Sequence, residues 1–363
     1  MFDIKEKTKE LLAGCQIPSD VGVSFYTPDG KGDYHALWTR DFYYMIENAM
    51  DLMDNRNVEG CIRLLLDTAN FDGWIADRIQ PNGRAIYTAG DSNFPALPNL
   101  DNGCFLCLCA DVYLRSIDSS VAKERFSEWK EQLCRAVDCL PQDENGFMIN
   151  ISTPLHSPYG FTDTVRKTGR LCFETLLLWQ AQKALCYWLT KCDCPREKYE
   201  KRLRSIEKHF MDVFLHESGM LIAFTCEGTK VDLWASCFAI SIGFPMAQTK
   251  RERICAWMIE HHSRVISHGQ LRHLPAEEYW ESTFIPVEQG TYQNGAFWAT
   301  PCKWLYDTLA VLDKELAKHT FEELLAYFDT YGIFECINGE YRKLDTYVAS
   351  ITPAYALYQR IYA

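Results

Sequence analysis

Apolar residues recur at intervals of three and four along most of the chain, which is the period of an amphipathic α-helix. The predicted helices come in pairs whose two members differ. The first member is apolar on nearly every face, as in DNGCFLCLCADVYLRSI, whereas the second carries charges on one face, as in VAKERFSEWKEQL. A helix without a polar face is buried, and a helix with one apolar stripe packs outside it.

The pattern therefore predicts an all-α protein, an (α/α)6 toroid in which inner and outer helices alternate. The predicted pairs are 42–53 with 58–70, 101–117 with 121–140, 170–189 with 196–215, 231–244 with 250–265, and 294–312 with 321–332. A last helix at 346–363 needs a partner, and residues 4–14 supply one that closes the ring, so a single catalytic domain over 1–363 is expected. An α-solenoid is disfavoured because no fixed-period repeat is visible.

Long connections are the second feature of the pattern. They span 71–100, 140–169, 263–292 and 329–344, and they are rich in Gly, Pro, acidic and aromatic residues. Each precedes an inner helix, so all four should meet on one rim of the toroid. Long loops in a compact domain are usually functional, which predicts the active site at this rim. The short strand-like stretches GFMINIS and GMLIAFT predict small β-hairpins on these loops.

Composition narrows the ligand class. The formal net charge is −12 and no basic run is present, which disfavours nucleic acid and membrane surfaces as partners. The sixteen cysteines lie in apolar helical patterns, the first residues do not resemble a secretory signal, and no apolar run reaches membrane length. We therefore expect reduced cysteines, a cytoplasmic protein, a neutral small molecule as substrate, and no cofactor or metal. The sequence does not indicate an oligomeric state.

The stretch WTRDF places an Arg–Asp pair among aromatic residues at the start of the first inner helix. An Asp in a first helical turn is favoured by the helix dipole alone. The alternative is a sugar clamp, in which Arg40 donates to hydroxyls, Asp41 accepts from them and Trp38 supplies a stacking face.

Similar residues stand at the start of the other inner helices. They are Asp101 and Asn102, Asp163 and Arg166, then Glu288, Tyr292, Asn294 and Trp298, and finally Glu335. A single carboxylate there usually caps a helix, but several on one rim predict a carboxylate-lined pocket. Two carboxyl groups beside aromatic faces suit glycoside hydrolysis, which needs an acid for the leaving oxygen and a second carboxylate for water or for direct attack.

Four motifs carry a family resemblance. WTRDF resembles the W-x-R-D stretch of glucoamylases, and YGFTDTVRKTG resembles the acid-bearing region of trehalases and processing α-glucosidases. YQNGAFWATP is similar to a Y-P-N-G stretch of trehalases, and GIFECINGEY resembles the segment that supplies their catalytic Glu. These families are six-hairpin glycosidases with an (α/α)6 toroid, and the motifs occur in the family order from about residue 34 onwards.

The resemblance implies a role for each residue. Asp163 would be the general acid and Glu335 the base of an inverting reaction. FECINGEY departs from the family pattern, so Glu288, in a Gly-flanked loop near the YQNG stretch, is the rival base. Arg40 and Asp41 would hold the sugar hydroxyls. The pocket would be shaped by Trp38, Tyr292, Asn294 and Trp298, with further hydrogen bonds from Asp101 and Asn102.

Other functions remain open on this fold. A sugar phosphorylase would need a basic phosphate pocket, which Arg166, Lys167 and Arg170 could supply. An unsaturated-uronide hydrolase, an epimerase, and a sugar-binding protein without catalysis are further alternatives, since a fold does not fix a function.

Overall fold

Six inner helices form a closed ring in the computed structural model, which describes residues 2–90, 98–151, 161–226 and 230–362. Each inner helix contacts the next, and the last contacts the first. In ring order they are α2 (Thr39–Ala49), α4 (Asn102–Ser116), α6 (Cys172–Lys191), α8 (Leu233–Ser241), α11 (Cys302–Leu309) and α13 (Val348–Tyr362). The predicted (α/α)6 toroid is confirmed.

The outer helices pack against this ring from outside. They are α1 (Ile4–Gly14), α3 (Asn55–Asp67), α5 (Ser119–Asp138), α7 (Glu197–Phe214), α9 (Gln248–Glu260) continued by α10 (His262–Val265), and α12 (Lys314–Tyr331). The first helix, α1, packs against the last, α13. A 3₁₀ turn at Met50–Leu52 follows α2.

The contrast between inner and outer helices follows from side-chain placement. In α8 the residues from Leu233 to Ile240 are all buried, whereas α5 buries one stripe, which consists of Ala122, Phe126, Trp129, Leu133, Ala136 and Val137. Several helices begin at an Asp whose carboxylate accepts backbone N–H groups of the first turn, namely Asp3, Asp54, Asp118, Asp232 and Asp313.

The fifth inner helix is shorter than the predicted 294–312, and that boundary was wrong. Helix α11 begins only at Cys302, directly after Pro301. Residues before a proline avoid the helical region, and the backbone here is committed to other partners. Phe297 pairs with Ile337 and Trp298 with Leu271, so this part of the motif is extended.

Small antiparallel sheets occupy the connections. They pair β1 (Gln16–Ile17) with β2 (Phe25–Tyr26), β3 (Leu37–Trp38) with β4 (Arg78–Ile79) and β4 with β5 (Ala85–Ile86), β6 (Ile149–Asn150) with β7 (Gly169–Arg170), β8 (Ile266–Ser267) with β9 (Gln270–Leu271), and β10 (Phe334–Asn338) with β11 (Tyr341–Asp345). GFMINIS supplies β6 in its described part. GMLIAFT forms only isolated bridges, such as Ile222 with Val231.

Parts of two predicted rim loops, 91–97 and 152–160, lie outside the described residues. None of the sixteen cysteines, all of them described, forms a disulfide. No helix in the described residues has the length and apolar character to cross a lipid bilayer.

Candidate active site

A cavity opens at the rim from which the inner helices begin, with a volume of about 180 Å³. Its lining comes from segments that precede or open inner helices, as the long connections predict. The described lining residues are Pro28, Tyr34, Trp38, Arg40, Asp41, Gly90, Phe161, Asp163, Thr164, Ile285, Tyr292, Glu335 and Tyr347. Three carboxyl groups, those of Asp41, Asp163 and Glu335, therefore share one cavity.

Glu335 is positioned by a hairpin. It lies on β10 and is only 1% exposed. Its Oε2 atom accepts from the Lys343 ammonium at 2.5 Å, and Oε1 accepts from the Tyr34 hydroxyl at 3.1 Å. Burial raises the pKa of Glu335 to about 7, against the opposing effects of Lys343 and Tyr34. The group can therefore exchange a proton near neutral pH.

Tyr34 is held in turn by a loop built around Asp29, which is 1% exposed. The Asp29 carboxylate accepts four backbone N–H groups, those of Lys31, Gly32, Asp33 and Tyr34. Such a carboxylate-centred turn fixes the backbone that carries Tyr34.

Asp163 lies before α6, and a neutral amide holds one of its oxygens. The Gln293 side-chain N–H donates to Asp163 Oδ1. The Gln293 carbonyl oxygen accepts from the Thr164 backbone N–H at 3.0 Å and from its hydroxyl at 2.5 Å. These two donors fix the orientation of the amide, so its N–H faces Asp163.

Arg40 lies in the first turn of α2 and is 5% exposed. Its guanidinium pairs with two buried carboxylates, Asp101 at 3.3 Å and Asp77 at 3.6 Å, and faces the Phe161 ring. Burial raises the pKa of Asp77 to about 7, with Arg40 opposing it. The positive charge of Arg40 is thus compensated by buried carboxylates, while Arg40 also lines the cavity.

Asp41, beside Arg40, is 4% exposed. It accepts from the Tyr347 hydroxyl at 2.7 Å. Burial raises the pKa of Asp41 to about 6, opposed first by Arg40 and then by Tyr347. An Arg–Asp pair with one face on a cavity can donate to and accept from ligand hydroxyls.

Two predicted aromatic residues line the cavity. Trp38 is paired with Arg78 across β3 and β4, and the Arg78 guanidinium lies 4.6 Å from the centroid of its ring. Tyr292 has a left-handed backbone with φ of 40°, and the Lys343 ammonium lies 3.6 Å from the centroid of its ring.

Four predicted binding residues lie beneath the cavity lining. Asp101 and Asn102 are both 0% exposed, and Asn102 donates to the Ile75 carbonyl. Asn294 stabilises the loop before α11 instead: its side chain accepts from the Trp280 backbone N–H and donates to the Val287 carbonyl. Trp298 is 0% exposed and donates to the Tyr292 carbonyl, so it supports that residue from below.

The remaining predicted residues are not brought to the cavity. Glu288 is exposed on the loop surface. Arg166 is exposed, stacks on Phe284 and donates to a backbone carbonyl. Of the other two cations considered for a phosphate pocket, Lys167 is buried beside Glu174 and Arg170 pairs with Asp143.

Sequence reasoning missed the side chains that donate to the three carboxyl groups of the cavity, namely Tyr34, Gln293, Lys343 and Tyr347. Gln293 stands inside the YQNG motif, and Tyr347 directly precedes α13 as Trp38 precedes α2. Those positions were a usable signal. The sequence carries no such signal for Tyr34 and Lys343, because only the folding of their loops brings them into contact with Glu335. No cluster of metal-ligating side chains occurs in the described parts of the chain.

Comparison with solved structures finds similar folds at low sequence identity. A mannosylglycerate hydrolase of family GH63 from Thermus thermophilus, in complex with glucose, matches with a TM-score of 0.70 and 13% identity, over 98% of this chain and 100% of that one. A rhamnosidase from Klebsiella oxytoca with rhamnose bound matches with a TM-score of 0.68 and 14% identity, over 98% and 64%.

A glucoamylase from Hormoconis resinae matches with a TM-score of 0.62 and 13% identity, over 99% of this chain and 73% of that one. No family model and no curated protein matches the sequence. The resemblance predicted from the four motifs is thus confirmed for the fold, and the chain has the (α/α)6 architecture of the six-hairpin glycosidases.

Proposed function

We propose that this protein is an inverting, exo-acting glycoside hydrolase that acts on a small saccharide. The observation that carries the proposal is that Asp163 and Glu335 line one cavity together with a buried Arg–Asp pair and five aromatic side chains. The structural neighbours support the ligand class, because their structures include one with glucose and one with rhamnose.

Asp163 is the general acid in this proposal. Its carboxyl proton passes to the glycosidic oxygen as the bond to the anomeric carbon breaks. Gln293 donates to Oδ1 and so orients the carboxyl group. The leaving group departs as a neutral alcohol and Asp163 is left as a carboxylate.

Glu335 is the base. It takes a proton from water while the water oxygen bonds to the anomeric carbon from the opposite face, which inverts the configuration there. A pKa of about 7 suits this task, because a carboxylate of ordinary acidity is a weaker base. Glu288 is not proposed as the base, since it is exposed and is not among the residues that line the cavity.

Arg40 and Asp41 bind hydroxyl groups of the sugar in the cavity, and Trp38 and Tyr292 supply apolar faces for its ring. The volume of about 180 Å³ is below the roughly 300–1,000 Å³ of pockets for drug-sized ligands. A cavity of this size suits one terminal sugar ring, which supports exo action on a short substrate.

The test is sugar release from a panel of disaccharides and aryl glycosides by wild type, Asp163→Asn and Glu335→Gln. We expect each variant to fold and to lose about 100- to 10,000-fold in turnover, the range for general acid–base groups. Glu288→Gln is the matched control and should behave as wild type. Wild-type turnover in Asp163→Asn or Glu335→Gln would overturn the role of that residue.

The same panel with and without phosphate separates hydrolysis from phosphorolysis. Hydrolysis predicts equal rates in both, with free sugar as the product. Sugar phosphate formed only with phosphate present would identify a phosphorylase. Saccharide binding without any turnover would identify a binding protein.

A further inference from the structure

Lys343 makes the closest charged contact to Glu335 in the described structure. The register of the hairpin places Lys343 opposite Cys336, the residue after Glu335. The Lys343 ammonium lies 2.5 Å from Glu335 Oε2 and donates to the Tyr34 hydroxyl at 3.0 Å. It also lies over the face of the Tyr292 ring. These contacts converge on one nitrogen atom, so its position is well defined.

Glu335 needs such a partner because it is buried. Taking a carboxylate out of water costs several kcal/mol unless it is paired and hydrogen-bonded. Burial raises its pKa, and Lys343 is the first group that opposes the rise, followed by Tyr34. The acidic groups around it are Asp41, the thiol of Cys336 and the hydroxyls of Tyr292, Tyr341 and Tyr347.

The Lys343 side chain is 31% exposed, whereas that of Glu335 is 2% exposed. The lysine therefore keeps contact with water while its ammonium reaches a buried oxygen. Lys343 is not among the described residues that line the cavity, so it acts on the substrate through lining residues that it contacts, of which Glu335 is the nearest charged one.

We propose that Lys343 is a positioning residue that holds Glu335 ionised and directs Oε1, rather than Oε2, at the attacking water. Oε2 accepts from a charged ammonium, whereas Oε1 accepts from the neutral Tyr34 hydroxyl, so Oε1 is the more basic of the two oxygens towards a proton of water. The inference rests on the proposed function, in which Glu335 is the base. It adds a residue that no family motif above contains.

The contact between Lys343 and Glu335 has two opposite effects on Glu335 as a base. It keeps Glu335 deprotonated in more of the molecules, and it weakens the basicity of each deprotonated one. Catalysis by a general base is best when its pKa lies near the working pH, and without Lys343 the pKa of Glu335 would lie above about 7.

The experiment compares Lys343→Met, Lys343→Arg and Lys31→Met with wild type. Lys31 is the matched control, because its ammonium pairs with Asp345 on the same hairpin and touches neither Glu335 nor the cavity lining. Two readouts are used: the titration of Glu335 by ¹³C NMR, assigned by its loss in Glu335→Gln, and the pH profile of kcat/KM.

Removing one opposite charge at this distance raises a carboxyl pKa by about 1–3 units. We expect the NMR midpoint and the acidic limb of kcat/KM to move up together by that amount in Lys343→Met. At a pH below the acidic limb, kcat/KM of Lys343→Met should be lower than that of wild type by about tenfold for each unit by which the pKa of Glu335 rises. The profiles of Lys343→Arg and Lys31→Met should stay near that of wild type. A purely structural lysine would lower activity equally at all pH values.

The outcomes separate the two proposals. An unmoved NMR midpoint in folded Lys343→Met and an altered one in Lys343→Arg would each overturn the role of Lys343. A midpoint that moves while the acidic limb stays fixed would overturn Glu335 as the base and with it this role. If Lys343→Met fails to fold, Lys343→Gln takes its place. A pH profile of kcat/KM that is shifted in Lys343→Gln but identical to wild type in Lys343→Arg supports the inference. Equal profiles in the two variants overturn it.

Discussion

The two carboxyl groups of the candidate site are built in different ways. Glu335 lies on a regular hairpin, is 1% exposed and touches a lysine ammonium and a tyrosine hydroxyl. Asp163 lies in an irregular segment before α6, is half-buried, and is held by the Gln293 amide. The base is therefore more deeply buried and contacts an ammonium directly, whereas the acid is more open and accepts from a neutral amide.

The difference matches the two chemical tasks. A base must be deprotonated before the reaction, and a nearby cation favours that state. An acid must be protonated before the reaction, and a cation at the same distance would work against it. The Gln293 amide orients the acid without adding a further positive charge to that of Arg40, which lines the same cavity.

The largest expected effect tests whether Asp163 acts on the leaving oxygen while Glu335 acts on water. Asp163→Asn should lose about 100- to 10,000-fold on a disaccharide but less than about tenfold on a 2,4-dinitrophenyl glycoside, whose leaving group needs no proton. Glu335→Gln should lose the same factor on both substrates, since it acts on water. Initial rates on the two substrates measure this. Equal recovery of both variants on the activated substrate would contradict the division of roles.

A smaller effect tests the amide that holds the acid. Gln293→Leu removes a hydrogen bond to Asp163, which becomes a carboxylate as its proton leaves in the transition state. Hydrogen bonds to charged groups contribute about 1.5–3 kcal/mol, or roughly 10- to 100-fold in kcat/KM. The 2,4-dinitrophenyl substrate should show a much smaller loss. Gln132→Leu, on the outer helix α5, is the matched control. A Gln293→Leu enzyme with unchanged kcat/KM on disaccharides would contradict the role of this residue in orienting Asp163.

The smallest expected effect concerns stability. The pKa of folded Glu335 is about 7 and its ordinary value is 4.5, so the folded state binds the proton more tightly than the unfolded state. This group therefore stabilises the protein below pH 4.5, and that contribution is lost as the pH rises through about 7. Asp77 and Asp41 act in the same direction.

Denaturant unfolding across pH 4.5–8 measures that dependence. Stability of the wild type should fall as the pH rises through this window, and Glu335→Gln should show a flatter curve. Glu288→Gln is the control, because it removes an exposed glutamate outside the cavity lining. A Glu335→Gln curve as steep as that of wild type would contradict a strongly buried base.

The sequence predicted the ring but not how its site is held. The alternation of apolar and one-faced helices, as between α8 and α5, is local information, so it can be read directly. The start of α11 was missed because its preceding residues pair with distant strands, as Phe297 does with Ile337. Tertiary contacts overrode helix propensity there.

Contacts between distant segments also explain the missed site residues. Gln293 was visible in the YQNG motif, but its partner Asp163 is 130 residues away in the chain. Asn294, from the same motif, pins the loop instead of lining the cavity. Residue type indicated that these positions matter, while the register of the folded loops decided which of them face the cavity.

The most direct test of the two-carboxylate account is the configuration of the sugar that is first released. ¹H NMR of the anomeric proton during the first minutes of hydrolysis, before mutarotation, reports it. We predict the anomer opposite to that of the substrate, because Glu335 activates water on the face away from Asp163. Release of the same anomer as in the substrate would mean a covalent sugar intermediate, and would contradict the role of Glu335 as a water-activating base.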